Sequence, residues 1–245
     1  MPIIKAVIEY DGTDYCGFQR QPSRKTVQGE LERALTNLFK QDRVKVIGAG
    51  RTDAGVHATG QVISFLSPER FPIDRIPPAT NGLLPKSIRV KCAEQASDKF
   101  HARYSAKSRT YDYVILNREA PSAILGRYAW RLTKPLDLGS MQAASEGLLG
   151  KHDFASFGMP DKPGNSTIRE VFDFRIRRKK DAVCLNIRAG GFLRGMVRAI
   201  VGTLAEIGQG KREVSDMVEI LKACDRRAAG VSAPPQGLFL TKVEY

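Results

Sequence analysis

Fifteen residues, Gly48-Ala49-Gly50-Arg51-Thr52-Asp53-Ala54-Gly55-Val56-His57-Ala58-Thr59-Gly60-Gln61-Val62, set one carboxylate beside a cation in a stretch punctuated by four glycines. Glycine accepts positive φ and the close approach of a ligand or another backbone, so the run reads as a sharply folded, open turn that displays Asp53. A displayed carboxylate next to a guanidinium has the make-up of a nucleophile or a base. The spacing excludes two common phosphate cradles. No Gly-Lys-Ser/Thr closes the run as a Walker A loop requires, and Gly50 to Gly55 is two residues too long for Gly-x-Gly-x-x-Gly. Taken alone, Asp53-Ala54-Gly55 reads as an Asx-type turn, its carboxylate bonding its own backbone.

Three further groups of residues carry polar or aromatic side chains at spacings that matter. In the run Phe100 to Tyr113, a strand near 109–116 places Tyr111, Tyr113 and Ile115 on one face, which reads as core for all three. Leu193, Val197, Ile200, Val201, Leu204 and Ile207 form a helical stripe, setting Arg194 and Arg198 together along its border, where an Arg either reaches into a cleft or belongs to an ordinary basic face. Arg20, between Gln19 and Gln21, is a phosphate contact or a solvated turn residue.

The elements that position these residues follow a repeated order. A strand at 3–10, a helix from Val27 through Leu38, strands near 43–49 and 61–66, a helix near 73–83 and a strand at 88–95 give β-α-β-β-α-β, with Pro77 and Pro78 suited only to a first helical turn. The second half reads in the same order, with strands near 109–116, 170–178, 182–189 and 238–244 and helices near 137–149 and 192–208. An extra helical segment near 213–223 breaks the symmetry. Element order therefore predicts an α+β fold of two ferredoxin-like units, 1–100 and 101–245. Pro, Gly and Asn interrupt every periodicity in 157–168, which reads as a mobile loop.

Composition narrows the partner. The 245 residues are 42% hydrophobic, enough for a packed core, and 39 Lys/Arg against 26 Asp/Glu give a net charge of +13, with a pI near 9.8. That balance favours a polyanion, nucleic acid first. The charge is clustered: Arg169 to Arg198 holds nine Lys/Arg and three Asp/Glu. Cys16, Cys92, Cys184 and Cys224 are scattered, with no Cys-x-x-Cys pair and no His at zinc-ligand spacing, so reduced thiols are expected and neither a disulfide framework nor a metal site. The start leads directly into a strand pattern, and no apolar run approaches about 18 residues, so a cytoplasmic protein is expected.

The fifteen-residue run resembles the signature Gly-x-Gly-Arg-Thr-Asp-x-Gly-Val-His-x-x-Gly-Gln-Val of the TruA family of tRNA pseudouridine synthases. By that resemblance Asp53 is the catalytic Asp, and Arg51 binds RNA and holds the substrate base out of its stack. His57 matches a signature histidine and is expected to be structural. The run Phe100-His101-Ala102-Arg103-Tyr104-Ser105-Ala106-Lys107-Ser108-Arg109-Thr110-Tyr111-Asp112-Tyr113 is similar to the second family motif, with Tyr111 at the active-site tyrosine, where it can stack on the flipped uracil and join a proton transfer. Gly191 through Gly202 is similar to a third motif, which puts Arg198 in a salt bridge with the catalytic Asp. Tyr10 through Gln21 resembles the opening motif, with Phe18 where many members carry Trp and Arg20 as an RNA contact. Pro234, Gly237 and Leu238 match a C-terminal Pro-x-x-Gly-Leu run.

The resemblance implies one extended mixed or antiparallel sheet with helices on one side and a central cleft, the Asp loop in the first half and the Tyr and Arg in the second. It implies isomerisation of uridine to pseudouridine at tRNA positions 38, 39 and/or 40, without cofactor or metal, by a homodimer whose two subunits share one tRNA. Two other classes compete. A non-catalytic RNA-binding protein built on such sheets is weakened by the absence of the Lys/Arg-Gly-Phe/Tyr-Gly/Ala-Phe-Val-x-Phe/Tyr motif. A glycosidase or nucleotide hydrolase would ordinarily use paired carboxylates or a metal, whereas Asp53 is the only carboxylate from Gly48 to Phe65.

Overall fold

A computed structural model describes residues 1–162 and 164–245. The chain divides into two compact units, Met1–Lys107 with Phe239–Tyr245, and Ser108–Leu238.

The first unit runs β1 (Ile3–Tyr10), α1 (Val27–Phe39), β2 (Ile47–Gly48), β3 (His57–Leu66), α2 (Ile76–Leu83) and β4 (Ile88–Gln95). Every second side chain of β1 is buried, as a strand with one covered face requires. It is antiparallel to both β3 and β4, and β2 is antiparallel to β3, giving the order β4-β1-β3-β2. This is the ferredoxin-like arrangement that the element order predicts. Thr26 caps α1 by accepting the Gly29 N–H at 3.3 Å, and Val27, Leu31, Ala34 and Leu35 face inward. Pro77 and Pro78 occupy the first turn of α2, where missing N–H groups are not needed.

The second unit runs β5 (Ser108–Asn117), β6 (Trp130–Leu132), α3 (Leu138–Glu146), β7 (Gly150–Asp153), β8 (Ile168–Lys179), β9 (Ala182–Ala189), α4 (Met196–Gly208) and α5 (Asp216–Ala223). Its strands are ordered β5-β9-β8-β7, antiparallel throughout, with β6 parallel to β5. β10 (Leu238–Glu244) follows, and its Phe239 and Leu240 pair in parallel with His57 and Ala58 of β3, in the first unit.

Two local expectations are corrected. The helix predicted from 192 starts at Met196, because Gly195 takes φ +78° and serves as its N-cap. Arg194 therefore lies before the helix, where its backbone exchanges hydrogen bonds with Met159 at 3.0 and 3.2 Å, and it does not share a helix border with Arg198. The strand predicted over 43–49 pairs only at Ile47–Gly48. Of the segment 157–168, Phe157 is buried and Met159 is bridged to Arg194, and Ile168 opens β8; Pro163 lies outside the described residues.

Candidate functional site

Asp53 sits on the loop between β2 and β3, and that loop is anchored on both sides of it. Gly55 has φ +77°, and the Val56 N–H reaches the Asp53 carbonyl at 3.2 Å, closing a turn whose third position takes positive φ. Thr52 is buried, and its hydroxyl meets the Tyr10 hydroxyl at the end of β1 at 2.8 Å. Gln61 is fully buried. Its Nε2 donates to the Gly50 carbonyl at 2.9 Å and its Oε1 accepts the Gly50 N–H at 3.2 Å. Phe18 N–H donates to the Thr52 carbonyl at 3.1 Å. A Cβ on Gly17 would come within 2.7 Å of that same oxygen, so only glycine allows the two chains to pass there. Between these ties Asp53 is half-buried and Arg51 exposed.

Two buried groups beside the loop serve its geometry. Burial pushes the Tyr10 hydroxyl up to about 12, against the opposing pull of its bonds to Thr52 and Gln61, so it stays protonated as a bracing group. His57 has a buried ring; its Nδ1 accepts the Gly12 N–H at 3.0 Å and the ring stacks on Phe239 with centroids 4.8 Å apart. The first of these contacts ties the 11–12 turn to β3.

Arg20 is gripped from two sides. Its Nη1 donates to Glu32 Oε2 at 2.9 Å, and its backbone N–H donates to Gln28 Oε1 at 2.8 Å. Glu32 is a buried carboxylate on α1 that also accepts from Gln28 Nε2 at 3.0 Å and from the Val46 N–H at 3.2 Å. A buried carboxylate must be paired or saturated with donors, and this one is. The Arg20 side chain remains 55% exposed, so the pair offers N–H donors outward while its charges largely cancel. Sequence reasoning missed Glu32 and Gln28. Their signal was an acidic residue next to Leu31, on the edge of the apolar stripe, with a glutamine one turn before it.

In the second unit Tyr111 lies on β5 opposite Ile187 of β9, 8% exposed, its ring edge-on to Phe192 at 5.0 Å between centroids. Tyr113, two residues on, is fully buried, and its hydroxyl donates to the Pro234 carbonyl at 2.7 Å. Arg198 is in the first turn of α4; its Nε donates to the Ala233 carbonyl at 2.7 Å, and the Ala233 N–H donates to the Arg198 carbonyl at 2.9 Å. Arg20, Arg51 and Asp53 thus belong to the first unit, Tyr111 and Arg198 to the second.

A family model described as tRNA pseudouridine synthase matches residues 6–105 and 144–245, segments that hold Arg20, Arg51, Asp53 and Arg198; Tyr111 falls between them. A relative named tRNA pseudouridine synthase A from Thermoanaerobacter sp. (strain X514) is 43% identical over 242 residues, 99% of each chain. Another of that name from Brevibacillus brevis is 43% identical over 245 residues, 100% of each. A solved structure described as a Cbf5-Nop10-Gar1 complex overlaps 97% of this chain and 58% of its own, with a TM-score of 0.39 and 9% identity.

Proposed function

The chain belongs to the tRNA pseudouridine synthase family, an isomerase acting on tRNA, and from that premise we propose that it converts uridine to pseudouridine at positions 38, 39 and/or 40 of the anticodon stem-loop, with Asp53 as the reacting carboxylate. The observation that carries the reading is the family match across both halves of the chain, including the whole Asp53 loop. The braced backbone of that loop supports it: Gly50, Thr52 and Val56 are each tied down, as a group that must meet a reacting atom within a few tenths of an ångström requires.

The reaction breaks the bond from N1 of uracil to C1′ of ribose, turns the detached ring and forms a bond from C5 to C1′; the proton on C5 is then lost and N1 takes one up, so no atom is gained or lost overall. Asp53 takes the first step, whether by attack at C1′, addition at C6 or removal of a ribose proton. Arg51 and Tyr111 hold the uridine after it leaves its stack, offsetting an unstacking cost of roughly a few kcal/mol. Tyr111 offers a hydroxyl for proton transfer, Arg198 orients Asp53, and Arg20 contacts the RNA backbone. The reading extends to a homodimer whose subunits share one tRNA, working in the cytoplasm.

The test is incubation of the purified protein with unmodified tRNA, followed by mapping of pseudouridine through adduct-dependent reverse-transcription stops, with Asp53→Asn alongside. Stops at positions 38 to 40 from the unaltered protein alone, with Asp53→Asn binding tRNA within a few-fold of it, are expected. Turnover by a folded Asp53→Asn protein would overturn the role of Asp53. Tight binding without stops would favour a binding protein, and release of free uracil a hydrolase.

A further inference from the structure

Residues 229–237 run against α4 as a strap. The Gly230 N–H donates to Thr203 Oγ1 at 3.0 Å, and a Cβ on Gly202 would lie 1.7 Å from the Val231 carbonyl oxygen. Arg226 donates to the Ala229 and Gly230 carbonyls and to Ser232 Oγ, at 3.4, 3.1 and 2.9 Å. Where the strap reaches the first turn of the helix, Ala233 and Arg198 bond each other twice, backbone to backbone and Nε to carbonyl. A guanidinium is planar, so fixing the direction of its Nε–H fixes the plane in which the remaining four N–H groups lie.

One residue later the strap meets Tyr113. Its hydroxyl donates to the Pro234 carbonyl at 2.7 Å, and its ring fills the space above Gly237, where a Cβ would lie 2.7 Å from Cζ. Pro234 has φ −58° and ψ 147°, and its ring locks the first of these. The Ala233 and Pro234 carbonyls are therefore joined by one stiff residue, and a tether on the second constrains the first. Burial pushes the Tyr113 hydroxyl well up from its ordinary range, with the charge of Arg198 pulling the other way, so it remains a donor throughout the working pH range.

We propose that Tyr113 is a positioning residue for Arg198: its hydroxyl pins Pro234, Pro234 pins the Ala233 carbonyl, and that carbonyl sets the plane of the Arg198 guanidinium. The Pro-x-x-Gly-Leu run at 234–238 is the mould for this connection, its proline supplying the stiff link and its glycine admitting the tyrosine ring. The inference rests on the reading that Arg198 orients Asp53.

A double-mutant cycle under single-turnover conditions with saturating enzyme tests it. Tyr113→Phe removes only the hydroxyl and is expected to slow pseudouridine formation about tenfold while tRNA affinity stays within about twofold. Arg198→Lys keeps the charge but has no Nε–H for Ala233, so adding Tyr113→Phe to it is expected to slow the rate by less than about twofold more. Gly237→Ala, which presses on the same ring from the other side, should repeat the pattern and takes over the cycle if Tyr113→Phe does not fold. Equal slowing in both backgrounds would overturn the proposal, since Tyr113 would act independently of Arg198. So would an unaltered rate for Tyr113→Phe while Arg198→Lys is impaired. Full activity of Arg198→Ala would instead remove the role of Arg198, and the proposal with it.

Discussion

Gln61 makes no claim on the reaction, yet from β3 it holds the Asp53 loop at Gly50 by two hydrogen bonds. Its amide satisfies both the N–H and the C=O of Gly50. Gln61→Ala is expected to leave both unpaired in a half-buried place, lowering stability by about 1–3 kcal/mol in urea unfolding and turnover by more than about tenfold through a displaced Asp53. A second prediction follows from the tyrosines. Tyr10 ionises near 12 in the folded protein rather than at its ordinary 10, and Tyr113 is shifted the same way. Their contribution is complete below pH 10 and is lost as pH rises through the folded-state value. Stability should fall between pH 10 and 12 by on the order of 1.4 kcal/mol per pH unit for each such tyrosine, and Tyr10→Phe should flatten that slope in denaturant melts at stepped pH. The alternation of a strand made Tyr111 and Tyr113 legible as neighbours on one face. The destination of the Tyr113 hydroxyl was not legible, because its acceptor is a backbone carbonyl 121 positions away, and backbone carbonyls leave no mark on sequence.

At the level of elements, legibility followed length and periodicity. β1 and β9 alternate through all eight of their residues, and the apolar spacing of α1 matches its buried face. β6 and β7, at three and four residues, are too short to carry a period and went unread. The start of α4 was misplaced because an apolar stripe does not register a positive φ, and Gly195 imposes one. α1 also carries a prediction. Glu32 holds Arg20 from within the core, so Glu32→Gln should loosen Arg20 without touching Asp53. A several-fold rise in the tRNA concentration for half-maximal rate is expected, with the rate at saturation unaltered. Arg20→Ala should do the same and cost about 1–3 kcal/mol besides, by stripping a buried carboxylate of one donor; a fall in the saturating rate for either variant would move Arg20 from RNA contact to catalysis.

The whole molecule carries +13, and its affinity for tRNA is expected to fall steeply with salt, log K declining linearly against log salt as counterions are released. A titration from 50 to 300 mM salt checks this, and a flat response would remove charge as the driving term. The path of the chain has a different consequence. β10 follows the whole second unit in the sequence, yet it lies beside β3, the Lys107 N–H donates to the Glu244 carbonyl at 2.8 Å, and the Tyr245 hydroxyl donates to the Ala102 carbonyl at 2.9 Å. During translation the first unit is therefore expected to wait, one side of β3 without its β10 partner, until the ribosome has delivered residues 108–238. A fragment ending at Lys107 should aggregate or bind chaperones through that unfinished edge, and supplying residues 238–245 as a fused segment should restore its solubility. Closure of the unit that holds Asp53 is thus expected to await synthesis of the whole second unit, because β10 follows that unit in the sequence.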